Sequence, residues 1–119
     1  MIDYGKELVA TLETILPTHH ELVLHSGLDT PCISWQERDN AAEENEQGES
    51  LGYSRITYTV KVWATEIATI QKYALEVDKA LRPLGFRRTS ANELYDRNSS
   101  MIQKIMTYSA KAVEQFEGE

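Results

Sequence analysis

The chain has 119 residues and a net charge of −7, from 12 basic and 19 acidic side chains. This length favours one domain spanning residues 1–119, and the contents of 41% hydrophobic and 26% charged residues are typical of a globular protein. No apolar run reaches membrane-spanning length, the N-terminus lacks the parts of a signal peptide, and the single cysteine, Cys32, excludes an internal disulfide. We therefore expect the chain to work in the cytoplasm, without a membrane, and its charge argues against general attraction to DNA phosphates.

The first third of the chain predicts one helix and two short strands. The helix is expected over residues 3–16, with Asp3 as its N-cap and Pro17 as its stop. Strands are expected over residues 21–25 and 32–37. The apolar stripe of the helix comprises Leu8, Val9, Leu12, Ile15 and Leu16.

A polar interval over residues 38–52 offers almost nothing to bury, so it predicts a long, mobile, acidic hairpin loop between two strands. Two interpretations stay open for it. One is a solvated, disordered tip, and the other is a protruding arm that orders only against a partner. Its acidic residues are Asp39, Glu43, Glu44, Glu46 and Glu49.

The centre of the chain shows the clearest pattern, a strand that leads directly into a helix. The strand is expected to end at Ala64, because a period of two is followed there by a period of three and four. Thr65 is the expected helix cap, and Gly85 is expected to end the helix in the left-handed conformation. The predicted buried positions are Ile56, Tyr58, Val60, Val62 and Ala64 in the strand, and Ile67, Ile70, Ala74, Val77, Leu81 and Leu84 in the helix.

The C-terminal part predicts further strands. Residues 86–89 read as extended, residues 92–100 carry turn residues, and residues 115–119 read as a frayed tail. Residues 101–113 fit a strand or a helix, and we favour the strand because it lets the sheet close beside the central strand. The order predicts an α+β fold, an antiparallel sheet with two helices on one face.

The sequence contains no recognisable catalytic motif, phosphate-binding loop or paired-cysteine metal motif, so we predict no catalytic residue, cofactor or metal. Cys32 has no neighbouring cation that would activate it. A cluster of His19, His20 and His25 leaves one alternative open, a small-ligand or metal-binding domain that would also use Trp35.

Two tryptophans and a basic corner are the candidates for contacts between subunits. Trp35 and Trp63 fit the edge of a core, an interface or a stacking platform. Arg82, Arg87 and Arg88 fit solvated residues, partners of local carboxylates, or partners of an acidic neighbouring subunit. The predicted subunit-contact set comprises Trp35, Glu43, Glu44, Glu46, Trp63, Arg82, Arg87 and Arg88.

Several segments together resemble the tail terminator, or tail-to-head joining, proteins of tailed phages and prophages of Gram-positive bacteria. They are residues 32–38 (CISWQER), 51–54 (LGYS), 58–63 (YTVKVW), 70–73 (IQKY), 84–90 (LGFRRTS) and 92–95 (NELY). These motifs are structural rather than catalytic, so the resemblance transfers no site residue.

The resemblance implies a non-enzymatic α+β protein that forms a homohexameric ring in the neck of a virion assembled in the host cytoplasm. Its expected partners are further copies of itself, the tail tube protein and the head-tail connector, and DNA would pass through an acidic lumen without specific binding. A head-completion adaptor of the same particle is the alternative. A closed ring needs two different, complementary patches on each subunit, and the acidic segment 38–52 and the basic corner offer such a pair.

Overall fold

A computed structural model describes residues 5–20, 30–44, 50–97 and 100–113. Two helices, α1 (Gly5–Glu13) and α2 (Ile67–Leu81), accompany five strands in these ranges. The strands are β1 (Thr18–His20), β2 (Cys32–Glu44), β3 (Ser50–Ala64), β4 (Arg87–Asp96) and β5 (Met101–Val113). None of the described helices is long and apolar enough to cross a membrane.

The strands form one sheet in the order β1-β2-β3-β5-β4. The pairs β2–β3, β3–β5 and β4–β5 are antiparallel, whereas β1 runs parallel to β2. The expected α+β fold is confirmed, but the sheet is mixed rather than purely antiparallel. The strand expected over residues 21–25 lies outside the described residues.

The core lies between one face of the sheet and the two helices. Alternation along β3 places every second side chain on this face, and apolar residues of α1 and α2 pack against it, so both helices cover the same side. The largest contributions come from Leu8, Leu12, Ile56, Tyr58, Val60, Val62, Ile70, Val77, Leu81, Met106 and Tyr108. Ile67, predicted in the buried stripe, is exposed instead, because it lies in the first turn of α2.

The two ends of α2 differ in how well the sequence predicts them. The expected cap at Thr65 is wrong: the N-cap is Glu66, which makes no side-chain capping hydrogen bond, and the helix begins one residue later than Thr65 would require. At the other end, α2 continues into one turn of 3₁₀ helix (Arg82–Leu84). Gly85 then has a φ of 92°, as expected for a left-handed stop, and the Phe86 N–H donates to the Leu81 carbonyl at 3.3 Å.

The polar interval 38–52 is largely strand. β2 continues to Glu44 and β3 begins at Ser50, with pairs as far out as Glu44 opposite Ser50, so the loop prediction is wrong on both sides of residues 45–49. Backbone hydrogen bonds between the paired strands stabilise this ribbon although its sequence is mostly polar. Residues 45–49 lie outside the described residues, and the mobility expected there stays a prediction.

The C-terminal assignments are mostly confirmed. Residues 101–113 form a strand, β5, which pairs beside β3 over Tyr53–Ala64. The turn expected from residue 92 is wrong as far as Asp96, because β4 continues to that residue. The expected frayed tail at 115–119, like the expected helix cap at Asp3, lies outside the described residues.

Candidate functional site

A buried carboxylate organises the basic corner at the C-terminal end of α2. Asp78 occupies the sheet-facing stripe of the helix, and only 7% of its side chain is exposed. One turn later, Arg82 donates from Nε at 3.0 Å and from Nη2 at 2.8 Å to Asp78 Oδ2. Both nitrogens converge on this one oxygen, so the pair is charge-assisted and leaves the second carboxylate oxygen for other partners.

The second carboxylate oxygen of Asp78 faces the sheet. Tyr108, in β5, donates its hydroxyl to Oδ1 at 3.1 Å, and Arg88 Nη1 lies 3.9 Å from the same oxygen. Burial raises the pKa of the Tyr108 phenol well above its ordinary value, and the negative charge and hydrogen bond of Asp78 raise this pKa further. The tyrosine therefore stays protonated and acts as a permanent donor that connects α2 to the sheet.

The basic corner is wider than the sequence predicts. A pocket of about 380 Å³ is lined by Asp78, Arg82, Gly85, Phe86, Arg87 and Arg88. A neighbouring pocket of about 490 Å³ adds Arg55 and Lys111 to Arg87 and Arg88. Arg55 and Lys111 are register partners on β3 and β5, so residues 56 positions apart in the chain become neighbours. Five cations of the described residues therefore line the two pockets beside Gly85, and both Arg82 and Arg88 lie within ion-pair distance of Asp78.

The two candidate tryptophans lie on opposite faces of the sheet. Trp35 is register partner of Val60 on the helix side, where its ring contacts His20 edge-on with centroids 4.7 Å apart and also approaches Tyr58. Trp63 lies on the face that no described helix covers, and its Nε1 donates to Ser34 Oγ at 3.0 Å. The two rings therefore cannot form one stacking platform.

The predicted acidic partners lie at the outer end of the β2–β3 ribbon. Glu43 and Glu44 end β2, and Glu46 lies outside the described residues. Glu44 is register partner of Ser50, whereas Arg55 is register partner of Ala41. Ser50 and Arg55 are separated by about 17 Å of strand at roughly 3.4 Å per residue, so the acidic end of the ribbon extends away from the basic corner of its own chain.

The histidine cluster does not assemble into a metal site among the described residues. His20 packs against Trp35, while His25 lies outside the described ranges. Cys32 is buried, and this burial raises the pKa of its thiol, which lowers the thiolate fraction that a reactive cysteine needs.

Sequence reasoning missed Asp78, Arg55 and Lys111. Asp78 had a usable signal, because it falls four residues after Ala74 and four before Arg82, within the apolar stripe of α2. An acidic residue in such a stripe, followed by an arginine at the next turn, indicates a buried ion pair. Arg55 and Lys111 gave no comparable signal, because only the β3–β5 register brings them together.

Comparisons with known proteins define the fold. No protein-family model matches the chain, and no curated protein matches its sequence. Among solved structures, a chain of the virion of a native gene transfer agent particle matches with a TM-score of 0.64 and 18% sequence identity. The match covers 94% of this chain and 87% of that chain, so the two share a fold over nearly their whole length.

Proposed function

We propose that this chain is a structural virion protein, a tail terminator that closes into a ring, caps the tail tube and forms the joint to the head connector. The observation that carries this proposal is the fold shared with a chain of a gene transfer agent virion, over 94% of the present sequence. The sequence motifs described above, which resemble those of tail terminator proteins, support the specific role that we propose within a virion.

The geometry of the basic corner supports an assembly role over a catalytic one. Two buried ionisable groups, Asp78 and Tyr108, bond to each other, and the exposed arginines around them carry charge to the surface. The acidic end of the ribbon points away from this corner, so its natural electrostatic partner is the corner of another copy. Contacts between two different patches generate a ring when the rotation closes, and the proposed ring is a hexamer.

The proposed partners follow from this role. They are further copies of the chain, the tail tube protein and the head-tail connector, in the neck of a virion assembled in the bacterial cytoplasm. The net charge of −7 suits a lumen through which DNA slides, because each avoided phosphate contact removes a favourable binding term.

The test is capture on assembled particles. Purified chain is mixed separately with polymerised tail tubes and with DNA-filled heads, and bound complexes are imaged by negative-stain electron microscopy. A tail terminator binds one end of each tube as a ring and stops further tube growth. Binding to heads alone identifies the chain as a head-completion adaptor, and binding to neither contradicts a role at the head-tail joint.

The small-ligand or metal-binding alternative has a separate test. Metal analysis of protein purified without a histidine tag would give stoichiometric zinc if the segment containing His19 and His20 held a resident ion. Mutation of those histidines would then remove the metal, and this result would favour the metal-binding alternative and weaken the assembly proposal.

A further inference from the structure

The basic corner has a local charge opposite in sign to that of the whole chain. Its two adjoining pockets, of about 380 and 490 Å³, share Gly85, Arg87 and Arg88. Among the described residues, five cations and a single carboxylate, that of Asp78, line these pockets, whereas the chain has a net charge of −7. The chemistry of the corner is therefore that of a site for an oxyanion.

The carboxylate in this corner is buried and already has partners. Asp78 Oδ2 accepts both hydrogen bonds of Arg82, and Oδ1 accepts from the Tyr108 hydroxyl with Arg88 Nη1 at 3.9 Å. The side chain of Asp78 is only 7% exposed, whereas those of Arg82 and Arg88 are 73% and 45% exposed. One buried carboxylate thus holds two exposed guanidinium groups, one at the end of α2 and one in β4.

The lining of the larger pocket also contains neutral hydroxyl groups. Thr89 and Ser109 lie there beside Arg87 and Arg88. Guanidinium forks and hydroxyls bind the oxygens of carboxylates and of phosphates. A carboxylate is favoured here, because the field of a chain with a net charge of −7 repels the dense charge of DNA, whereas a second copy brings 19 acidic residues to each encounter.

We propose that the basic corner is a pre-organised oxyanion site that binds carboxylate groups of an acidic segment of a second copy, and that Asp78 is its positioning residue. This inference rests on the ring proposed above and names the side chains that prepare the contact. A long side chain loses rotamer freedom when a partner fixes it, and a side chain that Asp78 already holds has less freedom to lose. Asp78 therefore strengthens the binding of an anion although it adds a negative charge to the corner.

Asp78→Asn separates positioning from charge. The amide keeps an oxygen that can accept from Tyr108, but the charge that holds Arg82 and Arg88 is removed. The corner also becomes more positive by one unit, so an effect of charge alone would strengthen the binding of an anion. Positioning predicts the opposite sign, a weakening by about fivefold or more, because two arginines must then be fixed on binding.

Fluorescence anisotropy with a labelled polyglutamate peptide measures the dissociation constant, and sedimentation velocity measures self-association of the same variants. The matched control, Glu76→Gln, removes one negative charge from an exposed position of α2 and should weaken neither. Arg82→Ala with Arg88→Ala, at exposed positions that leave Asp78 in place, should weaken peptide binding by about tenfold or more. In that background Asp78→Asn should weaken binding no further, an absence of effect that a merely structural role of Asp78 does not predict.

The same titrations test two other occupants of the corner. Tighter binding of a DNA duplex than of polyglutamate at equal salt would overturn the choice of a carboxylate ligand. A variant that ends at Val113 lacks residues 114–119 (EQFEGE), which contain three glutamates. Peptide binding about tenfold tighter to this variant would show that the chain's own segment competes for the corner, and this would overturn a second copy as the occupant.

The outcomes separate this site from the proposed function. A chain that caps tubes, but whose Asp78→Asn variant binds polyglutamate at least as tightly as Glu76→Gln does, would overturn the positioning role and leave the tail terminator role standing. Weakened peptide binding and self-association of Asp78→Asn, in a chain that binds no tube, would support the site and contradict the tail terminator role. No measurable binding of polyglutamate to the unaltered chain would overturn the oxyanion site itself.

Discussion

Replacing Asp78 with alanine is expected to destabilise the fold, because the side chain connects α2 to β5. Its loss leaves the buried Tyr108 hydroxyl without its carboxylate partner, which costs about 1–3 kcal/mol. The lost Arg82 pair adds only about 0–1 kcal/mol, since the arginine is 73% exposed and screened by solvent. Alanine also favours the helix over aspartate by up to about 0.7 kcal/mol. We expect a net loss of about 2 kcal/mol in the free energy of unfolding, the midpoint of these ranges.

A double-mutant cycle isolates the hydrogen bond itself. Tyr108→Phe removes the hydroxyl, and the double variant with Asp78→Ala should be less destabilised than the sum of the single variants, by about 1–2 kcal/mol. Urea unfolding followed by circular dichroism at pH 7 gives all four free energies, and an unchanged m-value shows that the same transition is measured. A coupling energy below about 0.5 kcal/mol would refute the argument, because two groups in a buried contact should not behave independently.

Three further predictions concern pH, the end of α2 and the core. The pKa of Tyr108 is raised in the folded protein, so the contribution of Tyr108 to the free energy of unfolding is complete below its unfolded pKa of 10.0. Above that pH this contribution falls by about 1.4 kcal/mol per pH unit. Urea unfolding at pH 9 and 11 should therefore show a smaller fall in stability for Tyr108→Phe than for the unaltered chain. Gly85→Ala should lower the free energy of unfolding by about 1–2 kcal/mol, because an alanine is strained at the positive φ of this position. A Cβ there would meet no atom within 4 Å, so no steric clash adds to this loss. An unchanged free energy in urea unfolding would contradict that account. Ile70→Ala should lower the thermal midpoint and reduce the free energy of unfolding by about 2–5 kcal/mol, because Ile70 is buried. Ile67→Ala, at an exposed position of the same helix, should change the free energy of unfolding by less than about 0.5 kcal/mol. Equal effects of the two substitutions would show that the assigned buried face of α2 is wrong.

The sequence predicts those elements in which apolar residues repeat. The inward side of β3, the stripe of α2 and the left-handed Gly85 follow directly from periodicity and from the conformational freedom of glycine. The outer parts of β2 and β3 could not be predicted this way, because they pair through their backbones while their mostly polar sequence carries no apolar repeat. The parallel strand β1 was missed for a similar reason, since three half-buried residues carry too little pattern.

The candidate site was only partly predictable. Arg82, Arg87 and Arg88 were identified from their spacing, and the expectation of a local carboxylate partner is confirmed for Arg82 by Asp78. The contributions of Arg55 and Lys111 depend on which strand lies beside which, and a single sequence does not reveal that order. The predicted contact role of Trp35, Trp63 and the acidic residues stays a prediction.

The placement of the tryptophans has a spectroscopic consequence. The chain has two indole rings, Trp35 and Trp63, and the sheet separates them. Replacing either with phenylalanine leaves a single intrinsic fluorophore that responds to events on one side of the sheet. Stopped-flow emission from the two variants can therefore tell which side another molecule reaches first, without attaching any dye.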